Sequence, residues 1–285
     1  MSSITELIKE LREKTGAGFL DCKKSLEENN NNIEKSIEAL RKKGLAKASK
    51  KTSREANEGG VGIYSDKDLI VILKVNSETD FAAKSDSFLN FVDELGKIAL
   101  NHGNKEMDKN KFLDLNFNDK TVSEHINNMI AKIGENIVLN DIVCLDKTVN
   151  HFSYYIHNSY KDNIGKLISY ISYSAKNNTN EIQNFSRNIC MHIAAMKPES
   201  LDIDDLDENI INNEKNIQKE LILSSGKPAN IVDKILEGKM KKFYSEVTLL
   251  NQNYVLDQDK TVKDMIKSYE MSENFKILNF NLISL

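Results

Sequence analysis

The spacing of apolar residues along this chain changes several times, and each change marks a new element. Ile4, Leu7, Ile8 and Leu11 recur at helical spacing and form one stripe on a polar background. Thr15-Gly16-Ala17-Gly18 interrupts the stripe, because two glycines admit a positive-φ turn that a Cβ resists. Phe19, Leu20 and Leu26 mark a second short helix. The asparagine run 29–32 supplies a turn and an N-cap, and Ile33, Ile37 and Leu40 mark a third helix that Gly44 should close. So small a unit has little interior, so one of the adjacent Phe19 and Leu20 is expected to pack inside and the other to face a partner. Residues 41–54, RKKGLAKASKKTSR, are basic and hold almost no large apolar side chain. With no interleaved aromatic to stack on bases and an acidic EANEGG following, they read as a solvated linker rather than a nucleic-acid arm.

Beyond the linker the pattern shortens to strand length. Residues 60–65 (GVGIYS) and 69–76 (LIVILKVN) predict an antiparallel hairpin across Asp66-Lys67-Asp68. The second strand runs into Ser77-Glu78-Thr79-Asp80-Phe81-Ala82-Ala83-Lys84, which delivers a carboxylate and a large aromatic to the end of a buried strand. Ser85-Asp86-Ser87 then caps a helix carrying Phe88, Phe91, Val92 and Leu95, with Ile98 or Ala99, on one face. A helix over 122–133, stopped by Gly134, and a strand over 136–145 follow a polar excursion. The plan then recurs about ninety residues on: strands at 151–157 and 163–173 across a turn at 158–162, and a helix bearing Ile182, Phe185, Ile189, His192 and Ile193. Lys197-Pro198 ends that helix. Only the first copy carries the Asp-Phe pair; the second reads Ser172-Tyr173-Ser174-Ala175-Lys176.

Two amphipathic helices, 204–224 and 229–243, are hinged at Ser225-Gly226-Lys227-Pro228. Leu206, Ile210, Ile211, Ile217, Leu221 and Ile222 are expected on one face of the first, and Ile231, Ile235, Leu236 and Met240 on one face of the second. A short helix at 260–269 and a last strand at 275–285 complete the order. The expected fold class is α+β.

Composition narrows the function more by exclusion than by signal. The net charge of −4 argues against the whole surface being a nucleic-acid footprint, and no apolar window is long enough to span a membrane. The N-terminus enters an amphipathic pattern without a basic region and apolar signal core, so a cytoplasmic location is expected. Three dispersed cysteines suit reduced thiols, and Cys190 and His192, two apart, cannot share a metal from one helix. No phosphate-binding glycine loop and no nucleophile elbow occurs. No catalytic residue, metal site or cofactor is expected. On residue types alone, Asp80 and Phe81 fit a structural role best: Asp80 lies three residues after Ser77, as in a capping box, and Phe81 suits a core.

The segments ELREKTGAGFLDCKKSLEE, VNSETDFAAK, KIGENI and EGKMKKFYSEVTLLNQ, in that order, resemble the bacterial translation elongation factor Ts family along nearly the whole length. The resemblance implies a UBA-like three-helix domain with the basic linker at 1–55, core subdomains at 56–145 and 146–285, and a protruding coiled-coil hairpin at about 204–243. The two core subdomains are then related α+β units with antiparallel sheets. Phe19-Leu20 stands where many members carry two methionines, and the extra C-terminal helical module of some members is not seen after the last strand. The implied function is guanine nucleotide exchange on elongation factor Tu, a GTPase, with no catalysis by this chain itself. Thr79, Asp80, Phe81 and Ala82 would enter near that partner's nucleotide and Mg²⁺. Arg12, Phe19 and Leu20 would touch the same partner domain and His157 another. A homodimer, or a higher complex with the GTPase, stays open. Two rival classes are a nucleic-acid adaptor built on 41–54 and an interaction module confined to residues 1–55.

Overall fold

The computed structural model describes residues 3–15, 17–225 and 228–285; Gly16 of the first predicted turn and Gly226 and Lys227 of the predicted hinge lie outside the described residues. The chain divides into two compact units, one of Met1–Thr148, Asn158–Lys166 and Ser284–Leu285, the other of Val149–His157 and Leu167–Ile283. Helices and antiparallel strands are mixed in both, the expected α+β class.

The first unit opens with three helices, α1 (Ile4–Thr15), α2 (Phe19–Glu28) and α3 (Ile33–Ser49). Ile8, Leu11, Cys22, Leu26 and Leu40 form their shared interior. Ser25 and Ser36 lock α2 to α3 inside it, each hydroxyl donating to the other residue's carbonyl at 3.1 Å. Both buried hydroxyls are thereby satisfied, which an interior this small requires. Asn32 caps α3 by accepting from the Lys35 amide, as its position predicts, and Asn30 and Asn31 make the preceding turn at positive φ. Gly18 uses no glycine-only conformation: at φ −65° it is an extended N-cap for α2.

The largest departure from expectation lies at Gly44, which sits inside α3 instead of closing it. A Cβ there would stand 3.0 Å from the Cβ of Ala131, so the glycine permits close packing against a later helix and not a turn. The basic run is therefore helical as far as Ser49, with Ala48 buried in the main core. Four of its cations are also engaged within the chain: Lys42 with Glu38, Lys43 with Asp21, Arg54 with Glu78, and Lys51 with the Gly134 carbonyl.

Next come β1 (Glu58–Ser65), β2 (Leu69–Ser77), α4 (Asp80–Ala83), α5 (Asp86–His102), α6 (Lys109–Asp114), β3 (Asn116–Phe117), β4 (Lys120–Thr121), α7 (Val122–Ile133) and β5 (Ile137–Asp146). The predicted first hairpin is present, its turn held by the Asp66 carboxylate accepting from the amides of Asp68 and Leu69. β2 is central, antiparallel to β1 and to β5, and buried almost throughout. That explains its unbroken apolar run, since a strand covered on both faces has no polar face to alternate with. A bulge opposite Lys74 and Val75 leaves Asn140 of β5 out of the pairing just before β2 ends. α5 covers β1 and β2, and Tyr64 lies so close to it that a Cβ on Gly96 would fall 2.3 Å from the tyrosine ring. The Tyr64 hydroxyl donates to Asp93, which also accepts from Lys161 and Asn163. Burial first, and then the Asp93 charge, push the Tyr64 phenol well above its ordinary pKa. α6 and the single ribbon of β3 and β4 lie where the pattern predicts only a polar excursion; each element is too short for its period to register.

The strands β6 (His151–Lys161) and β7 (Ile164–Ser174) come next. The turn expected at 158–162 is only the pair 162–163, because Asn158 takes φ 50° locally and the strand continues past it. In the second unit β7 pairs with β6 and with β10 (Lys276–Ser284), the last element. Between them lie α8 (Asn180–Met196), α9 (Glu208–Ser224), α10 (Ala229–Val247), β8 (Asn253–Tyr254), β9 (Asp257–Thr261) and α11 (Val262–Glu273). The α8 residues Ile182, Phe185, Ile189 and Ile193 enter this unit's core with Tyr173 and Phe275, and Phe185 stacks on Tyr269 at 4.3 Å.

α9 and α10 pack on each other through Ile222, Val232, Leu236 and Met240, with Ile211 and Phe243 alongside. The six-residue face expected on the first of them is not one face. Ile210, Ile217 and Leu221 are exposed, and Leu206 precedes the helix. Ile211 and Ile222 lie along one line of α9 and the exposed trio along the next, about 100° round at 3.6 residues per turn. A single partner helix covers only one of those lines. No helix among the described residues is long and apolar enough to cross a membrane.

Candidate partner-binding site

Three residues past the bulge β2 ends at Ser77, and Glu78 and Thr79 join it to the single helical turn α4. Thr79 is the N-cap: its hydroxyl oxygen accepts from the Ala82 amide at 3.2 Å. The capping box expected between Ser77 and Asp80 is absent. Ser77 instead donates its hydroxyl to the Thr79 carbonyl, and Asp80, the first residue of the turn, pairs with Lys84 at 2.9 Å. That ammonium's hydrogen bond is the main reason the Asp80 carboxyl is held below the usual carboxylate range.

The turn has a buried side and an open side. Ala82 and Ala83 pack inward against β1 and β2. Successive helical side chains diverge by about 100°, so with the alanines inside, Phe81 is turned out. It is 85% exposed, and the core position considered for it from residue type is excluded.

The mount beneath Phe81 is polar and specific. Glu135, one residue beyond the left-handed Gly134 that ends α7, accepts from the Thr79 amide at 3.0 Å and from its hydroxyl at 2.8 Å. Glu78 reciprocates, accepting from the Asn136 amide at 2.6 Å and from Arg54. The Asn136 amide bond comes first among the causes that hold Glu78 below the usual carboxylate range, with Arg54 assisting. Asn136 is itself buried, its side-chain amide donating to the Arg54 carbonyl at 2.7 Å. Reasoning from the sequence singled out neither Glu78, Glu135 nor Asn136 as site residues. Their signal was only the position of Glu135-Asn136 after a helix-ending glycine, and nothing local in it says that Thr79 lies opposite.

A second apolar surface belongs to the three-helix module. Phe19 is 48% and Leu20 78% exposed, so neither is core and the expectation that one packs inside fails; α2 buries Cys22, Ser25 and Leu26 instead. Phe19 and Arg12 share the rim of a depression of about 520 Å³ between α1 and α2, with Lys9, Glu13, Thr5, Ile8 and Ala17 as its other walls. His157 belongs to the second unit, is exposed on β6, and meets the Tyr155 hydroxyl through Nδ1 at 3.2 Å. Among the described residues no three His, Cys, Asp or Glu side chains gather in a way that could hold a metal. His192 and Cys190 are both buried in the second unit's interior, and His192 is engaged by Gln252 and the Val255 amide.

Comparison with known proteins follows the same residues. A family described as Elongation factor TS matches residues 78–285, beginning at the linker that carries the mount. The chain is 40% identical to elongation factor Ts of Ehrlichia ruminantium (strain Welgevonden) over 278 residues, 96% of each chain. It is 38% identical to that of Rhodospirillum centenum over 262 residues, 92% of this chain and 85% of that one. With Rhizobium etli elongation factor Ts the identity is 40% over 271 residues, 95% of this chain and 88% of the relative. Agreement over so much of both chains extends to the three N-terminal helices, and the chain belongs to the elongation factor Ts family.

Proposed function

We propose that this chain is a guanine nucleotide exchange factor for the GTPase elongation factor Tu, acting in the cytoplasm during translation elongation. Family membership supports the partner, and the observation that carries the mechanism is Phe81, a large aromatic 85% exposed on a turn capped by Thr79, which Glu135 holds by two hydrogen bonds. An exposed aromatic on a fixed mount loses little entropy on docking, which is how hot-spot residues at interfaces work.

In this reading Phe81 enters the GTPase near its nucleotide and Mg²⁺ and repacks the elements that hold them, while Thr79 and Ala82 keep the turn in place. Asp80, tied to Lys84, supplies the polar edge of the wedge. The three-helix module is a UBA-like domain that docks on the same partner domain through Arg12, Phe19 and Leu20, and His157 meets another. α9 and α10 form the family's coiled-coil hairpin, and the recurring strand-strand-helix plan makes the remainder two related subdomains. The chain contributes binding energy and no reacting group or cofactor. Linkage sets the requirement: whatever free energy the factor takes from GDP binding, GDP takes from factor binding, so a factor that ejects GDP is itself displaced by fresh nucleotide.

The test is release of a fluorescent guanosine diphosphate from purified elongation factor Tu in stopped flow. Release should accelerate with increasing chain concentration, and excess nucleotide should dissociate the binary complex. A release rate unaffected by saturating chain would overturn the reading.

A further inference from the structure

We infer that Glu135 is a positioning residue for Phe81, acting across the loop that follows α7 and not through any contact of its own with a partner. The inference rests on the exchange reading above and adds a residue to it. Glu135 is the acceptor for both hydrogens that Thr79 can donate, the amide at 3.0 Å and the hydroxyl at 2.8 Å. Fixing the hydroxyl hydrogen on Glu135 turns an oxygen lone pair toward the Ala82 amide, which it caps at 3.2 Å. One carboxylate thus sets both the direction in which the chain leaves β2 and the cap that makes residues 80–83 helical. The side on which Phe81 emerges depends on that cap together with the packing of Ala82 and Ala83 on β1 and β2, because the cap closes the helical turn that sets the alanines in and the aromatic out.

Glu135 is itself held. Gly134 stands at φ 88°, a conformation that other residues resist, and its carbonyl accepts from Lys51. The next residue, Asn136, donates its amide to Glu78 and its side chain to the Arg54 and Thr52 carbonyls. The clasp is therefore reciprocal. Glu135 grips Thr79 while Glu78, the residue before Thr79, grips Asn136, the residue after Glu135. Two adjacent pairs crossing in this way fix a relative orientation, where a single bond would leave a pivot.

The experiment is a double-mutant cycle with a second readout on the free chain. Glu135→Ala should lower the maximal rate of GDP release from elongation factor Tu by about tenfold or more, the scale of losing hydrogen bonds to a charged group. The chain concentration giving half-maximal effect should change much less, since the three-helix module still docks. In a Phe81→Ala background the same change should have almost no further effect, because its route of action is gone. Glu135→Gln, which keeps one acceptor for the Thr79 amide, should fall between. In the free chain, amide hydrogen exchange over residues 79–85 should speed up about tenfold or more in Glu135→Ala while the α5 and β2 amides keep their protection.

Unchanged protection over 79–85 overturns the positioning role whatever the exchange assay shows. Loosened protection with an undiminished release rate, or equal losses in the Phe81 and Phe81→Ala backgrounds, overturns it too. A parent chain that fails to release GDP while the 79–85 segment loosens as described refutes the exchange reading and leaves the clasp as a purely structural device.

Discussion

Phe81→Ala separates the site from the fold more cleanly than any other single change. At 85% exposure the ring contributes almost nothing to folding, so stability should stay within about 0.5 kcal/mol of the parent, as for ordinary surface positions. At an interface the balance reverses. An aromatic side chain offers about 150–250 Å², and taking roughly 150 Å² of newly buried apolar area at 25 cal/mol/Å² gives about 4 kcal/mol. Alanine retains part of that, which leaves a loss of about 3 kcal/mol, the ordinary range of a hot spot. At 1.4 kcal/mol per factor of ten this is a fall of roughly 100-fold in the apparent second-order rate of GDP release. Stopped-flow release of labelled GDP measures it, and a thermal melt by circular dichroism confirms that the variant is folded. A folded variant that retains the parent's release rate within about twofold refutes the reasoning, since 3 kcal/mol cannot be hidden in a factor of two.

Three further outcomes are expected. Gly96→Ala places a methyl about where the Tyr64 ring lies and disturbs the Tyr64 bond to Asp93, so after the gain in helix propensity it should still cost about 1–3 kcal/mol, seen as a lower melting temperature by differential scanning fluorimetry. His192 accepts from the Val255 amide through Nδ1 and donates through Nε2 to Gln252, so it is neutral in the fold, and burial lowers its pKa below the ordinary value of 6.5. The unfolded chain then binds the proton first, so the stability His192 contributes is complete above about pH 6.5 and is lost as pH falls through its folded pKa, by at most about 1.4 kcal/mol per pH unit. Chemical denaturation from pH 7.5 to 5 and the His192 NMR titration check this; a midpoint above 6.5 contradicts it. Finally, burial pushes the Cys144 thiol up to about 11 and that of Cys190 to about 12, and raises Cys22 as well, so all three should react slowly with a thiol reagent at pH 8 and promptly in denaturant.

How legible the chain was depended on the range of the interactions involved. Helix stripes, the Asn32 and Ser85 caps, the end of α7 at Gly134 and the first hairpin are local, and their periods and caps lie within a few residues of one another. Gly44 misled because a glycine after an apolar stripe has two uses, ending a helix or admitting a neighbour, and only Ala131 opposite decides between them. The α9 stripe misled for a related reason: hydrophobic spacing shows which residues share a side of a helix, not how much of that side a partner will cover.

From the amino-acid order alone came the order of the longer helices and strands, the family resemblance and the placing of an aromatic and a carboxylate at the end of the buried strand. Residue types alone favoured a buried Phe81 and the family resemblance an outward one, because the apolar run of β2 and the residues 77–81 read alike whether the ring is buried or exposed. Tertiary structure decided that the ring is exposed. Glu135 lies 56 residues from Thr79 along the chain and meets it only because β5 pairs with β2 and brings the end of α7 to the end of that strand. That contact makes Thr79, and not Ser77, the cap, frees Asp80 for Lys84, and turns Phe81 outward. No periodicity encodes a hydrogen bond over such a separation, so the orientation of the exposed ring could be read only from the folded chain.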